Sequence, residues 1–225
     1  MTWGLHGRIT LGGAVLIEAT LRLGPGVTVI MGPSGSGKST LLRLLAGLPT
    51  AAVLDGQVCR PARIGWMAQD AALQPRLAVG QNVGLMRLLA GQPRDADEEM
   101  RLLEAVGLKG FADRRVDTLS GGQKARVAIA RVLMQQAPLV LLDEPFSALD
   151  PDTRRRVQDL TRSCLAGRTV LMVTHDMVEA LRLADQLVVL RDHKLVEVPL
   201  CARPAPGAQV DGAAAWAALI GAAGA

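Results

Sequence analysis

At 225 residues, 49% of them apolar, the chain has material for one substantial core, and a mainly disordered protein is excluded. Its 25 Lys and Arg against 21 Asp and Glu leave a formal charge of +4, too small an excess to mark a nucleic-acid binder, and no nucleic-acid partner is expected. Three Trp, two Phe and no Tyr also leave few platforms for stacking single-stranded bases, and four of the 25 basic residues are Lys, two of which (Lys38 and Lys124) fall inside the motifs below.

Along the chain, Gly, His and Arg interrupt the first eight positions, unlike an export signal, so no export is expected. In residues 1–23, Ile9, Leu11, Val15, Ile17, Leu21 and Leu23 stand at odd spacings about Gly12 and Gly13, which predicts a small antiparallel β layer. Short apolar runs at 27–31, 139–142, 169–173 and 187–190 predict strands, and a further short strand precedes Gln69. Alternation of such runs with helix-period stretches predicts an α/β fold with a mainly parallel sheet covered by helices. Residues 71–136, rich in Leu, Ala, Arg and Glu and punctuated by Pro75, Pro93 and Gly107, predict an inserted helical lobe. We expect one domain over 1–200 and an Ala/Gly/Pro-rich tail over 201–225 that includes Asp211 and Trp216. Cys59, Cys164 and Cys201 are odd in number and far apart, so neither a disulfide framework nor a zinc site is indicated and a reducing compartment is expected. Every apolar run is too short to span a bilayer.

The chemistry begins at Gly32-Pro33-Ser34-Gly35-Ser36-Gly37-Lys38-Ser39, a G-x-x-x-x-G-K-[ST] phosphate loop directly after the run 27–31. Leu41, Leu44, Leu45 and Leu48 then predict the apolar face of a helix ended by Gly47 and Pro49. Glycines let successive N–H groups turn toward phosphate oxygens, and the helix N-terminus adds positive potential. Lys38 is placed to reach the β and γ phosphates and Ser39 to bind Mg²⁺, with Thr40 completing the nucleotide-binding set. The bland alternative is a Gly-Ser turn that happens to spell the pattern. Further on, the run 139–142 ends in Asp143-Glu144, two acids at the ligand edge of a buried parallel strand. Asp143 is expected to hold Mg²⁺ opposite Ser39, and Glu144 to polarise a water for attack on the γ phosphorus. Solvated loop acids are the alternative for this pair.

Leu119-Ser120-Gly121-Gly122-Gln123 precedes the acidic strand by about twenty residues and opens a helix with Ala125, Ile129, Val132 and Leu133 on its apolar face. With these three motifs in this order, the chain closely resembles the ATP-binding subunit of an ABC transporter, from about residue 8 to residue 197, and the compact lobe with no fused spans and no regulatory domain after the core is similar to the importer type. The resemblance implies the ABC ATPase fold and a head-to-tail dimer in which Ser120, Gly121, Gly122 and Gln123 close over the partner's ATP. It implies that Gln69 contacts Mg²⁺ and the attacking water, that Asp150, in Ser147-Ala148-Leu149-Asp150, crosses the dimer interface, and that His175 contacts the γ phosphate. It also implies an aromatic ring under the adenine near Arg8, Ile9 and Thr10, where this sequence has none; Trp3 or His6 shifted into place, or the Arg8 guanidinium, are the substitutes to test.

The same resemblance implies a catalytic set of Glu144, His175 and Gln69 and ATP hydrolysis on the cytoplasmic face of the membrane. The energy would drive solute import through separate permease subunits, served by a solute-binding protein. Leu73, Pro75, Leu77 and Val79 are the local candidates for docking the permease, with ordinary lobe packing as the alternative. The segment Ala78-Val79-Gly80-Gln81-Asn82-Val83-Gly84-Leu85 is most similar to thiamine-type importers, with molybdate, sulfate, polyamine and ferric-iron importers as close relatives. A non-transport ABC ATPase acting as a mechanical regulator is the second reading, and a small P-loop kinase, which shares only the phosphate loop, the third.

Overall fold

A computed structural model describes residues 2–200. The expected tail, with Asp211, Trp216 and Cys201, lies outside the described residues. Nine strands, β1 (Trp3–Leu11), β2 (Ala14–Leu23), β3 (Gly26–Met31), β4 (Val53–Cys59), β5 (Ile64–Met67), β6 (Leu139–Asp143), β7 (Thr169–Val173), β8 (Gln186–Arg191) and β9 (Lys194–Val198), form one sheet in the order β4-β1-β2-β9-β8-β3-β7-β6-β5. The run β8-β3-β7-β6-β5 is parallel throughout. The β1 strand is antiparallel to both β2 and β4, which is the expected β layer, continuous with the main sheet through β9.

Burial on both faces explains the uninterrupted apolar runs. In β6, Leu139 and Leu141 join one core cluster with α1 (Lys38–Ala46) and the β1–β2 layer, while Val140 and Leu142 join the other. That second cluster includes α2 (Val79–Leu89), α3 (Ala96–Ala105), α4 (Gly121–Met134), α5 (Pro151–Cys164) and α6 (Met177–Leu183). Helices α2, α3 and α4 pack on one another, and α4 also touches β5 and α5. Ala125, Ile129, Val132 and Leu133 are buried as expected, but so are Val127, Ala128, Ala130, Arg131 and Met134, so α4 is enclosed on nearly all sides.

Two expected faces differ. In α1 the buried face is Leu41, Leu42 and Leu45, while Leu44 is half-buried and Leu48 lies beyond the Gly47 cap and is exposed. Full burial of each of those three leucines is worth about 1.5–3 kcal/mol. In β1 and β2, Ile9, Ile17, Leu21 and Leu23 point inward, but Leu11 and Val15 are exposed. A bulge between Ile9 and Thr10 shifts the register, and the Gly12–Gly13 turn carries both residues past the core.

Candidate functional site at the carboxyl edge of the sheet

Strands β5, β6, β7 and β3 lie side by side, and the segment leaving the carboxyl end of each carries a residue singled out by the sequence: Gln69, Asp143 and Glu144, His175, and the phosphate loop. This edge is where ligands bind in open α/β sheets. At the loop, Gly37 has φ 96°, and a Cβ there would come within 2.6 Å of the Leu16 side chain, so glycine is required on both counts. No side chain caps the start of α1, which leaves its first-turn N–H groups to an anion. Lys38 is buried, and its ammonium donates to Gly32 O at 2.8 Å, Pro33 O at 2.6 Å and Ser36 Oγ at 3.4 Å. Burial holds its pKa below the ordinary lysine value, and the carboxylates of Glu144 and Asp143 oppose that shift.

The Ser39 hydroxyl donates to Asp143 Oδ1 at 3.0 Å, joining positions 104 residues apart. Burial pushes the Asp143 carboxyl above the usual carboxylate range; the Ser39 hydrogen bond opposes this, Glu144 adds to it, and Arg43 and Lys38 oppose it. A hydroxyl and one carboxylate beside a phosphate cradle is a donor set that suits Mg²⁺, which takes one or two protein oxygens and fills the rest of its shell with water and phosphate. No cluster of three or more His, Cys, Asp or Glu that could cage a metal occurs among the described residues.

Glu144 turns the chain sharply, with φ 46°, a conformation that costs a non-glycine residue about 1–3 kcal/mol. Its N–H donates to Val173 O at 2.9 Å, and its carbonyl accepts from the Ser147 hydroxyl at 3.0 Å. So fixed, its carboxylate lies between two side chains: His175 Nδ1 is 3.1 Å from Oε1, and Gln69 Nε2 is 3.4 Å from Oε2. The His175 loop is anchored underneath. Thr174 donates to the buried Glu179 at 2.7 Å, and Arg154 bridges the Asp176 carboxylate at 3.1 Å and Leu149 O at 2.9 Å.

Ser120, Gly121, Gly122, Gln123 and Asp150 stand apart from this group, with no hydrogen bond to it among the described residues. Ser120 and Gln123 form a reciprocal capping box at the start of α4, Ser120 Oγ accepting from Gln123 N and Gln123 Oε1 from Ser120 N. Ser120 and Gly121 are exposed, while a Cβ on Gly122 would lie 3.2 Å from Ala148 O, so the loop packs closely on the segment before Asp150. Asp150 caps α5, accepting from Thr153 N at 3.0 Å, and that bond holds its carboxyl below the usual range.

Two expectations are corrected. Trp3 and His6 line a different hollow, with Thr20 and Gln57, on the outer sheet layer, while the exposed Arg8 guanidinium pairs with Glu18 at 2.9 Å. Val79 is fully buried in α2 and is removed from the docking candidates. Sequence reading also missed Arg131, only 8% exposed, whose guanidinium donates to Ala71 O at 2.7 Å and Ala72 O at 2.9 Å just beyond Gln69. No motif marks it; an arginine set between apolar residues in the second half of α4 was the available signal.

Residues 17–147, more than half of the chain, match the family described as ABC transporter. The chain belongs to that family. A Haemophilus influenzae protein named an uncharacterized ABC transporter ATP-binding protein is 45% identical over 177 residues, 77% of this chain and 74% of its own length. The thiamine import ATP-binding protein ThiQ of a Jannaschia species is 40% identical over 212 residues, 88% and 93% of the two chains. The Fe(3+) ions import ATP-binding protein FbpC of Pseudomonas fluorescens is 45% identical over 186 residues, 76% of this chain but 53% of its own, so the chain spans about half the length of that iron relative. A dimeric structure of the ABC transporter cassette MJ0796 superposes with a TM-score of 0.75 at 28% identity, covering 90% of this chain and all of that one. The chain is thus an ABC transporter ATP-binding cassette with the ABC ATPase fold, and several of its relatives are named as import ATP-binding proteins.

Proposed function

We propose that two copies of this cassette bind two MgATP head to tail, hydrolyse them, and thereby drive solute import through separate permease subunits on the cytoplasmic face of the membrane. The observation that carries the reading is the Glu144 carboxylate, fixed between Gln69 and His175 one residue past the Asp143–Ser39 pair. Lys38 exchanges its loop carbonyls for oxygens of the β and γ phosphates. Ser39 and Asp143, with Gln69, would hold Mg²⁺, which would supply charge neutralisation. Glu144 accepts a proton from water as the water oxygen bonds to the γ phosphorus; the bond to the β–γ bridging oxygen breaks, leaving ADP and inorganic phosphate. His175 steadies Glu144 and the γ phosphate.

Ser120, Gly121 and Gly122 present an exposed helix start, and Gln123 fixes its geometry, which suits a second phosphate contact made on the partner's nucleotide. Asp150 borders the same surface. The dimeric MJ0796 cassette, solved with ADP and Pi, supports this arrangement. No helix among the described residues is long and apolar enough to cross a membrane, so transport calls for a membrane partner. Leu73 and Leu77, both half-buried, and the exposed Pro75 remain as its docking surface. Likeness to the thiamine importer over 88% of the chain supports thiamine or a similar small solute delivered by a binding protein, and the iron(III) importers supply the second solute class.

The test is Glu144→Gln. Turnover should fall by about 10²–10⁴ with ATP affinity retained; an unchanged rate would reject the assignment.

A further inference from the structure

Beside the phosphate loop lies an open cavity of about 620 Å³, within the range that holds a small organic ligand. Pro33, Gly35 and Ser36 of the loop form one side, and Leu16, Val189 and His193 contribute to the other. A nucleotide whose phosphates occupy the loop must place its base somewhere adjacent, and this hollow is contiguous with the loop itself. His193 is the ring that lines it. Of the other rings among the described residues, Trp3 and His6 face the outer hollow, Phe146 is buried in one core cluster and Trp66 packs against the other, Phe111 lies under Arg114, and His175 is on Glu144.

His193 is held from two directions. It sits in the β8–β9 turn, where Asp192 and His193 both have left-handed backbones, φ 48° and 62°. Its carbonyl accepts from Glu18 N at 2.6 Å, and its Nδ1 lies 3.0 Å from Leu16 O, which places the proton on Nδ1 and leaves Nε2 a bare acceptor in the neutral ring. Leu16 in turn abuts Gly37, so the ring, the apolar floor and the first turn of the phosphate cradle form one connected unit.

We propose that His193, backed by Leu16, is the stacking platform for the nucleobase of the bound triphosphate. The proposal rests on the reading of residues 32–39 as the triphosphate cradle. A ring face is sequence-tolerant, so the platform accepts purine bases through stacking.

Titration calorimetry of the full chain with Mg²⁺ and either ATP or inorganic tripolyphosphate separates the base from the phosphates. For His193→Ala, ATP affinity should fall about tenfold while tripolyphosphate affinity stays unchanged, and His193→Phe should restore ATP binding. Unchanged ATP affinity in His193→Ala, or equal losses in the Ala and Phe variants, would overturn the platform while leaving the cradle standing. Loss of tripolyphosphate binding in His193→Ala would also overturn it, because the turn would then be supporting the loop. A wild-type chain that bound neither ligand would remove the cradle reading and the platform together.

Discussion

Asp143 is a carboxyl placed where the fold does not favour its charge. Only 4% exposed and raised above the usual range by burial, it has a higher pKa folded than unfolded. Between those two values the folded state binds more protons, so stability falls as pH rises through the window and the full deficit is carried above it. Asp143→Asn should therefore melt above wild type at pH 7.5 without nucleotide or magnesium, and the difference should vanish below the ordinary carboxylate range. Calorimetric scans across pH check this, and a lower melting temperature at pH 7.5 would contradict it. A buried acid beside the Ser39 hydroxyl suits the cation proposed for this site. That inference was legible in the sequence, because an apolar strand ending in Asp-Glu beside a phosphate loop announces it. The strained backbone of Glu144 and the dual grip on its carboxylate were not, since Gln69 and His175 reach it only through strand adjacency across 75 and 31 residues.

At the scale of elements, strands buried on both faces were the readable ones: β6 and β7 have five buried residues each, and their hydropathy alone marks them. Strand β4 escaped notice because Asp55, Gly56 and Gln57 break its pattern, and its order comes from pairing with β1. Strand β9 is short and mostly exposed, held by its hairpin with β8. For α5, Asp150 before Pro151 was a start signal that could have been used. His193 was out of reach altogether, because its ring is positioned by Leu16, 177 residues away.

Helix α4 joins two parts of the site through Arg131: its own N-terminus is the Ser120 loop, and its guanidinium clamps the chain just after Gln69. Arg131→Met should cost about 2–3 kcal/mol through two abandoned carbonyls and a lost charged donor, a drop of roughly 4–12 °C in melting temperature. It should also slow hydrolysis by loosening Gln69. Thermal melts and ATPase rates measured together check both halves; a variant that lost stability but kept its full rate below the transition would sever Arg131 from the site.

For the whole molecule, one sheet edge gathers Lys38, Ser39, Asp143, Glu144, Gln69 and His175, while Ser120 and its glycines open outward from α4. One chain thus has a phosphate loop and an exposed helix start with no hydrogen bond between them among the described residues, which suits the shared pocket proposed above. Mixed complexes carrying Lys38→Ala on one copy and Ser120→Ala on the other should retain a different number of intact composite sites from complexes carrying both changes on one copy. Equal ATPase rates for the two arrangements would count against sharing. The most direct measurement is light scattering of the Glu144→Gln chain with and without MgATP. Sharing of the nucleotide between two copies requires a mass that doubles when the nucleotide is added and returns to one chain when Ser120→Ala is combined with Gly121→Glu. A chain that binds MgATP at full occupancy yet stays monomeric would contradict it.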